Sequence, residues 1–195
     1  MRRVAIDVKL SGMSPFLFNR FWGHSKEDIP MEKRLYLAED NVLVLPTQNL
    51  KSFLSKERPM GIIKFIEKTG FQHYNRIAQS HIDFGNNPYI PFTDDNGDII
   101  RYTSFDDPRW GILLEAPCTP SSTGALIKQE AKPRPYLKTP WRLEFEIGLW
   151  ESDINTKITP EKLRSWFEAG GLLVALGNHR PDYGRFSVRK WDVKV

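Results

Sequence analysis

The same alternation of apolar and polar residues occurs twice, near the start of the chain and again late in it. Val4, Ile6, Val8 and Leu10 alternate with Arg3, Ala5, Asp7 and Lys9, and Trp141, Leu143, Phe145, Ile147 and Leu149 alternate with Arg142, Glu144, Glu146 and Gly148. Successive side chains of a strand point to opposite faces, so each run predicts a strand with one buried face. Something must cover those faces, and the sequence supplies helices to do it. Thr159-Pro160-Glu161 is a helix start, with a cap, a proline at the first helical position and an acid facing the helix dipole; Leu163, Trp166 and Phe167 form its apolar stripe. Gly170-Gly171 is expected to stop or kink this helix unless it runs on through Leu172 to Leu176. Pro46-Thr47 opens another helix, with Thr47 as its cap and Leu50, Phe53 and Leu54 on one face. A closing strand spans Arg185 to Val195. Phe186 and Val188 share one parity there and Trp191, Val193 and Val195 the other, which predicts a bulge near Arg189-Lys190 or a change of neighbours.

Between these elements the signals are weaker. Phe16, Phe18, Phe21 and Trp22 form an aromatic cluster ahead of a polar loop. Arg34 to Ala38 and Asn41 to Leu45 flank Glu39-Asp40 as a short hairpin, and residues 59 to 70 form a short helix around Ile62, Ile63, Phe65 and Ile66. Residues 71 to 127 mix apolar pieces with turn-forming stretches and read as an irregular β insertion, with Asp95-Asn96-Gly97 as a hairpin turn. With that insertion set aside, the order of elements predicts an α+β, ferredoxin-like antiparallel sheet with helices on one face, the first and last strands together in its middle. At 195 residues a single domain, 1–195, is expected, with 71–127 inserted in it.

Charge divides along the same lines. The total is only +4, but residues 1–70 hold 12 Lys or Arg against 8 Asp or Glu, residues 71–127 hold 3 against 7, and residues 128–195 hold 13 against 9. If the two ends pack together they form a basic body with an acidic attachment, which suits an anionic partner. Ordinary solvated faces would give the same totals. Hydrophobic residues at 40% exclude wholesale disorder. No run approaches the roughly 18 apolar residues of a membrane span, and Met1-Arg2-Arg3 leads into alternation, not into the apolar stretch of a secretion signal. Cys118 stands alone, which excludes an internal disulfide and a multi-cysteine metal site; a cytoplasmic protein without membrane association is expected.

The segment richest in chemistry is Gly177-Asn178-His179-Arg180-Pro181-Asp182-Tyr183-Gly184-Arg185-Phe186. Glycines let backbone N–H groups approach a ligand, Arg holds phosphate through two hydrogen bonds, and Tyr or His stacks on a base. A polar turn whose rings pack on the core explains the same residues. Lys128, Lys132, Arg134, Lys138 and Arg142 recur through a proline-containing stretch with Tyr136 and Trp141 interleaved, so cations there could follow a phosphate backbone; a solvated linker is the alternative. His24, His73, His81 and His179 lack metal-ligand spacing, and Asp94-Asp95 and Asp106-Asp107 sit in turns, so neither a metal nor a cofactor is expected. His24 and Asp28 could act as acid or base only if RNA passed their loop.

Three segments carry a resemblance. Val4 through Leu10 running into Ser11-Gly12-Met13-Ser14-Pro15, the helix start Pro46-Thr47-Gln48-Asn49-Leu50-Lys51-Ser52-Phe53-Leu54, and Gly177 to Phe186 together resemble the repeat-associated mysterious protein (RAMP) superfamily. Its modified RNA-recognition fold builds backbone and crRNA-handling subunits of CRISPR effector complexes. The resemblance implies a single strand, RNA or ssDNA, held by His179, Arg180, Tyr183 and Arg185 in the loop and by Asn49 and Lys51 on the helix. Lys132, Arg134 and Lys138 join this set on charge and spacing. It also implies self-association along the strand, or other ribonucleoprotein subunits, as partners. The loop's His-Arg-Pro content departs from the family's nearly pure glycine run. Three functional readings follow: a non-catalytic strand-binding protein, an endoribonuclease of the same fold using His24 or His179, and a phage protein that imitates such a subunit and binds protein partners.

Overall fold

The computed structural model describes residues 2–20, 29–55, 61–115, 118–120, 126–128, 132–152 and 157–194. Phe21, Trp22, His24 and Asp28 lie outside the described residues. In chain order the strands are β1 (Arg2–Gly12), β2 (Phe16–Leu17), β3 (Val44–Pro46), β4 (Ile82–Asp83), β5 (Tyr89–Thr93), β6 (Trp110–Glu115), β7 (Cys118–Pro120), β8 (Leu126–Lys128), β9 (Lys132–Leu137), β10 (Arg142–Glu151) and β11 (Phe186–Lys194). The helices are α1 (Thr47–Ser55), α2 (Ile62–Ile66), α3 (Phe71–His81) and α4 (Pro160–Leu173).

The two alternating runs are antiparallel neighbours. Val4, Ile6, Val8 and Leu10 face Leu149, Ile147, Phe145 and Leu143 across the β1–β10 ladder, so one face of the pair is apolar along its length. The central sheet has the order β11-β1-β10-β5-β3, with β4 also on β10. The fold is therefore α+β and ferredoxin-like, with one correction: β11 adjoins β1 but stands at the edge, and β1 and β10 hold the middle. Exposed Arg189, Lys190, Asp192 and Lys194 suit an edge, where charged side chains discourage further pairing. The register slips between Lys9 and Leu10, which pair with Lys190 and Val188 and leave Arg189 as the extra residue. That bulge turns Trp191 and Val193 to the same core as Phe186 and Val188.

The helical face is closed by α1, with buried Leu50, Phe53 and Leu54, and by α4, with buried Leu163, Trp166 and Phe167. Thr159 caps α4, its Oγ1 accepting from Lys162 N at 3.2 Å. Contrary to the expected stop or kink, α4 runs through both glycines to Leu173. A Cβ on Gly170 would stand 2.4 Å from Phe53 Cζ, and one on Gly171 would stand 2.3 Å from the Phe186 carbonyl oxygen. The glycines thus let the helix lie against α1 and β11. Residues 71–127 also differ from an irregular β segment, because they open with α3, which buries Ile77 and Ala78, while β4 and β5 extend the central sheet.

The other face of the sheet is a lattice of opposite charges. Arg3 pairs with Asp83 and Glu146, each at 2.9 Å, Lys9 with Glu144, and Lys190 and Lys194 with Asp7 at 3.6 and 2.8 Å. Trp150 Nε1 also donates to Asp83 Oδ2 at 2.8 Å. Arg3 holds the Asp83 carboxyl below the usual carboxylate range, against the opposing effect of burial. A smaller sheet, β2-β9-β6, stands beside the central one. Phe16 and Phe18 join the two sheets, with ring centroids 5.0 Å (Phe16–Phe92), 5.4 Å (Phe16–Trp141) and 5.9 Å (Phe18–Trp110) apart.

Two outcomes follow. Gly171→Ala lowers stability by about 1–3 kcal/mol in spite of alanine's better helix propensity, and by more than Gly170→Ala, because a backbone oxygen cannot swing aside as the Phe53 ring can; urea midpoints measure both. A carboxyl held down in the folded state stabilises above its unfolded pKa of about 3.9 and loses that contribution as pH falls through the folded value. Asp83→Asn therefore lowers the urea midpoint at neutral pH, and the difference from the parent shrinks as the pH falls below the ordinary carboxylate range.

Candidate nucleic-acid interface

Between α4 and β11 the chain makes a loop that is fastened at several points to the turn following β1. Gly184 N donates to the Pro15 carbonyl at 2.8 Å, Arg185 N to Ser14 Oγ at 3.0 Å, and Met13 N to the Arg185 carbonyl at 2.7 Å. Trp141 Nε1 fixes the same turn through the Ser14 carbonyl at 2.9 Å. Within the loop, Leu176 N donates to the Gly184 carbonyl at 3.0 Å. Gly184 has φ +75°, and a Cβ there would fall 1.9 Å from the Leu176 oxygen, so no other residue fits this contact. The two sequence motifs richest in turn residues, Ser14-Pro15 and Gly177 to Phe186, are one structural unit.

The loop's side chains meet β9. Arg134 Nη1 meets His179 Nε2 across the gap between β9 and the loop. The rings of Tyr136 and Tyr183 lie 5.9 Å apart, tilted by 53°. Arg134 and Tyr136 share one face of β9, and Lys132 has the same parity at its start, while Pro135 and Leu137 are buried on the other face. Arg180 is half-buried, its Nη1 3.5 Å from the Ala175 carbonyl, and burial pulls its guanidinium below the usual range. Arg185 Nε donates to the Pro181 carbonyl at 2.9 Å. Among the described residues none of Arg134, Arg180 and Arg185 has a carboxylate partner, and Arg134 Nε is buried without a hydrogen bond. The loop's own acid, Asp182, is exposed and pairs with no cation among the described residues.

The other residues singled out in the sequence are elsewhere. Lys138, just past β9, donates to the Pro108 carbonyl at 2.8 Å. Lys51 lines a cavity of about 510 Å³ between α1 and α3, with Gln48, Ser52 and Gln79 on its rim. Asn49 lies on the same helix, and no hydrogen bond or ring contact joins either residue to the loop. The acids of the turns have local work: Asp94 Oδ1 accepts from Asn96 N and Asp98 N at 2.8 and 3.0 Å, and Asp107 pairs with Arg109. Among the described residues no three His, Cys, Asp or Glu side chains gather as a metal site, and no helix is long and apolar enough to cross a membrane. Tyr136 was legible only as an interleaved aromatic; its parity with Arg134 is the signal that sets it on the loop side.

No protein-family model matches the sequence, and a search of curated proteins finds no match. The fold does have a solved counterpart. A chain in the cryo-EM structure of the type III-B Cmr-beta bound to cognate target RNA is similar to this one, with a TM-score of 0.56 and 15% identity. The match covers 98% of this chain and 61% of that one, so the present chain spans less than two-thirds of its neighbour. At that identity the likeness is one of fold, and it agrees with the mixed helices and antiparallel sheets seen here.

The clamp is testable without any ligand. Gly184→Ala forces a side chain into the Leu176 carbonyl at a left-handed backbone position, and a loss of roughly 2–4 kcal/mol is expected in urea unfolding, larger than for alanine at the open turn glycine Gly97.

Proposed function

We propose that this protein binds single-stranded nucleic acid, RNA or ssDNA, without cleaving it, along the surface made by residues 177–185 and β9. One observation carries the reading: among the described residues Arg134, Arg180 and Arg185 at the loop have no carboxylate partner, whereas Arg3, Lys9, Lys190 and Lys194 on the open sheet face are paired with acids. An unpaired guanidinium is free to hold phosphate through two parallel hydrogen bonds. Half-burial of Arg180 strengthens its attraction for an anion, since less water screens it. The open sheet face, where cations and carboxylates are paired, offers a phosphate backbone no net attraction. The strand is thereby directed to the loop side.

A non-catalytic role is supported by the setting of His179, whose Nε2 lies against the Arg134 guanidinium. Lys138 adds a cation just past the end of β9, and Asn49 and Lys51 offer a second contact on α1. The fold neighbour belongs to an assembly bound to target RNA, which supports a ribonucleoprotein setting with partner subunits or further copies along the strand.

Titration of labelled oligonucleotides at several salt concentrations tests this. Each phosphate contact on a single strand contributes a slope of about −0.7 in log K against log salt, so engagement of the three guanidiniums gives about −2. Arg180→Ala with Arg185→Ala reduces that slope by about 1.4 and weakens binding at least about tenfold, with the thermal midpoint little changed. Asp182→Asn removes an opposing charge and tightens binding by up to about fivefold. Full-strength binding by the double variant would place the strand elsewhere. Shortening of the same RNA on a gel would favour the nuclease reading.

A further inference from the structure

Charge alone does not distinguish a single strand from a duplex, but the pair of rings at the loop can. Tyr136 and Tyr183 are both half-buried, and they stand on the two segments, β9 and the 177–185 loop, that also carry Arg134, Arg180 and Arg185. The ring of Tyr136 is seated over Gly111 on the neighbouring strand, where a Cβ would fall 2.1 Å from its Cζ. Gly111 thus gives the ring a flat bed. The Tyr136 hydroxyl makes no hydrogen bond among the described residues, so nothing polar ties the ring's position to the core. Two rings held from separate elements, one on β9 and one on the loop, with cations alongside, combine a π-surface with a phosphate-holding edge.

We propose that Tyr136 and Tyr183 form a stacking platform for an unpaired base of the bound strand. The inference rests on the strand-binding reading of the loop and narrows it. Phosphates go to Arg134, Arg180 and Arg185, while a base leaves its neighbours to lie on the tyrosine pair. Bases in a duplex have no free face to offer, so the ligand is an unpaired strand of ribo- or deoxyribonucleotides. Because every base has a π-face, the platform tolerates any sequence.

The test uses the wild-type protein and two oligonucleotides of about 12 nucleotides, equal in charge, one with bases and one abasic throughout, each made as RNA and as DNA. The base-bearing strand is expected to bind roughly 5- to 100-fold more tightly, with the same salt slope. Tyr136→Leu and Tyr183→Leu bring its affinity close to that of the abasic strand and leave abasic binding within about twofold, whereas Tyr136→Phe keeps the preference. Equal affinity of wild-type protein for both strands overturns the platform and leaves the phosphate contacts standing. Equal weakening of both strands by Tyr136→Leu also overturns it, because the ring would then only support the loop. Failure of every strand to bind at low salt overturns the interface and the platform with it. The wild-type comparison depends on no variant's folding.

Discussion

The register of β1 against β10 is the constraint from which the rest of the molecule is built. Because Val4, Ile6, Val8 and Leu10 stand opposite Leu149, Ile147, Phe145 and Leu143, the pair has one apolar and one charged face from end to end. A slip by a single residue would exchange the faces and place Asp7 and Lys9 among the phenylalanines, so the register is held tightly. The helices can pack only on the apolar side. The charged side is left to neutralise itself, and Arg3, spanning Asp83 and Glu146, ties β4 into the sheet as it does so.

This division of faces also bears on the proposed function. In a sheet whose open face carries self-neutralising ion pairs, an anion finds little field to bind there, and the guanidiniums without a carboxylate partner among the described residues stand instead where α4 returns to β11. The aromatic junction of Phe16, Phe18, Phe92 and Trp141 makes that end stiff, because it joins the two sheets directly beneath the turn to which the loop is fastened. A rigid support suits a binding loop better than a mobile one, since less ordering is lost when a ligand arrives.

How far all this could be read beforehand depended on whether the signal was local. The long strands, the Thr159 cap, the α1 stripe and the bulge at Arg189 were legible because each is written in neighbouring residues. Position within the sheet was not: nothing in β11 itself says that one of its edges stays open. Helix α3 was hidden because its apolar stripe, Phe71, Tyr74, Ile77 and Ala78, is diluted by Gln, His, Asn and Arg and starts at Gly70 with no side-chain cap. Gly170-Gly171 looked like a helix end because glycine is a poor helix former; only the approach of Phe53 and Phe186 shows why two stand there. Of the candidate site, the loop was legible from its composition. Its union with Arg134 and Tyr136, and its separation from Lys51, are products of the fold, since strands distant in sequence had to be placed side by side.

The hydrogen bond from Arg185 to Ser14 spans 171 positions of the chain. Contacts of such separation close a loop of nearly the whole chain, at a high cost in ordering entropy. The loop that gathers the cations is therefore held in shape by the first fifteen residues and completed by the last twenty. A nascent chain still lacking β11 would carry Arg134 and Tyr136 yet have no surface on which to align them. The cation-bearing surface is therefore assembled only once β11 has been laid against β1.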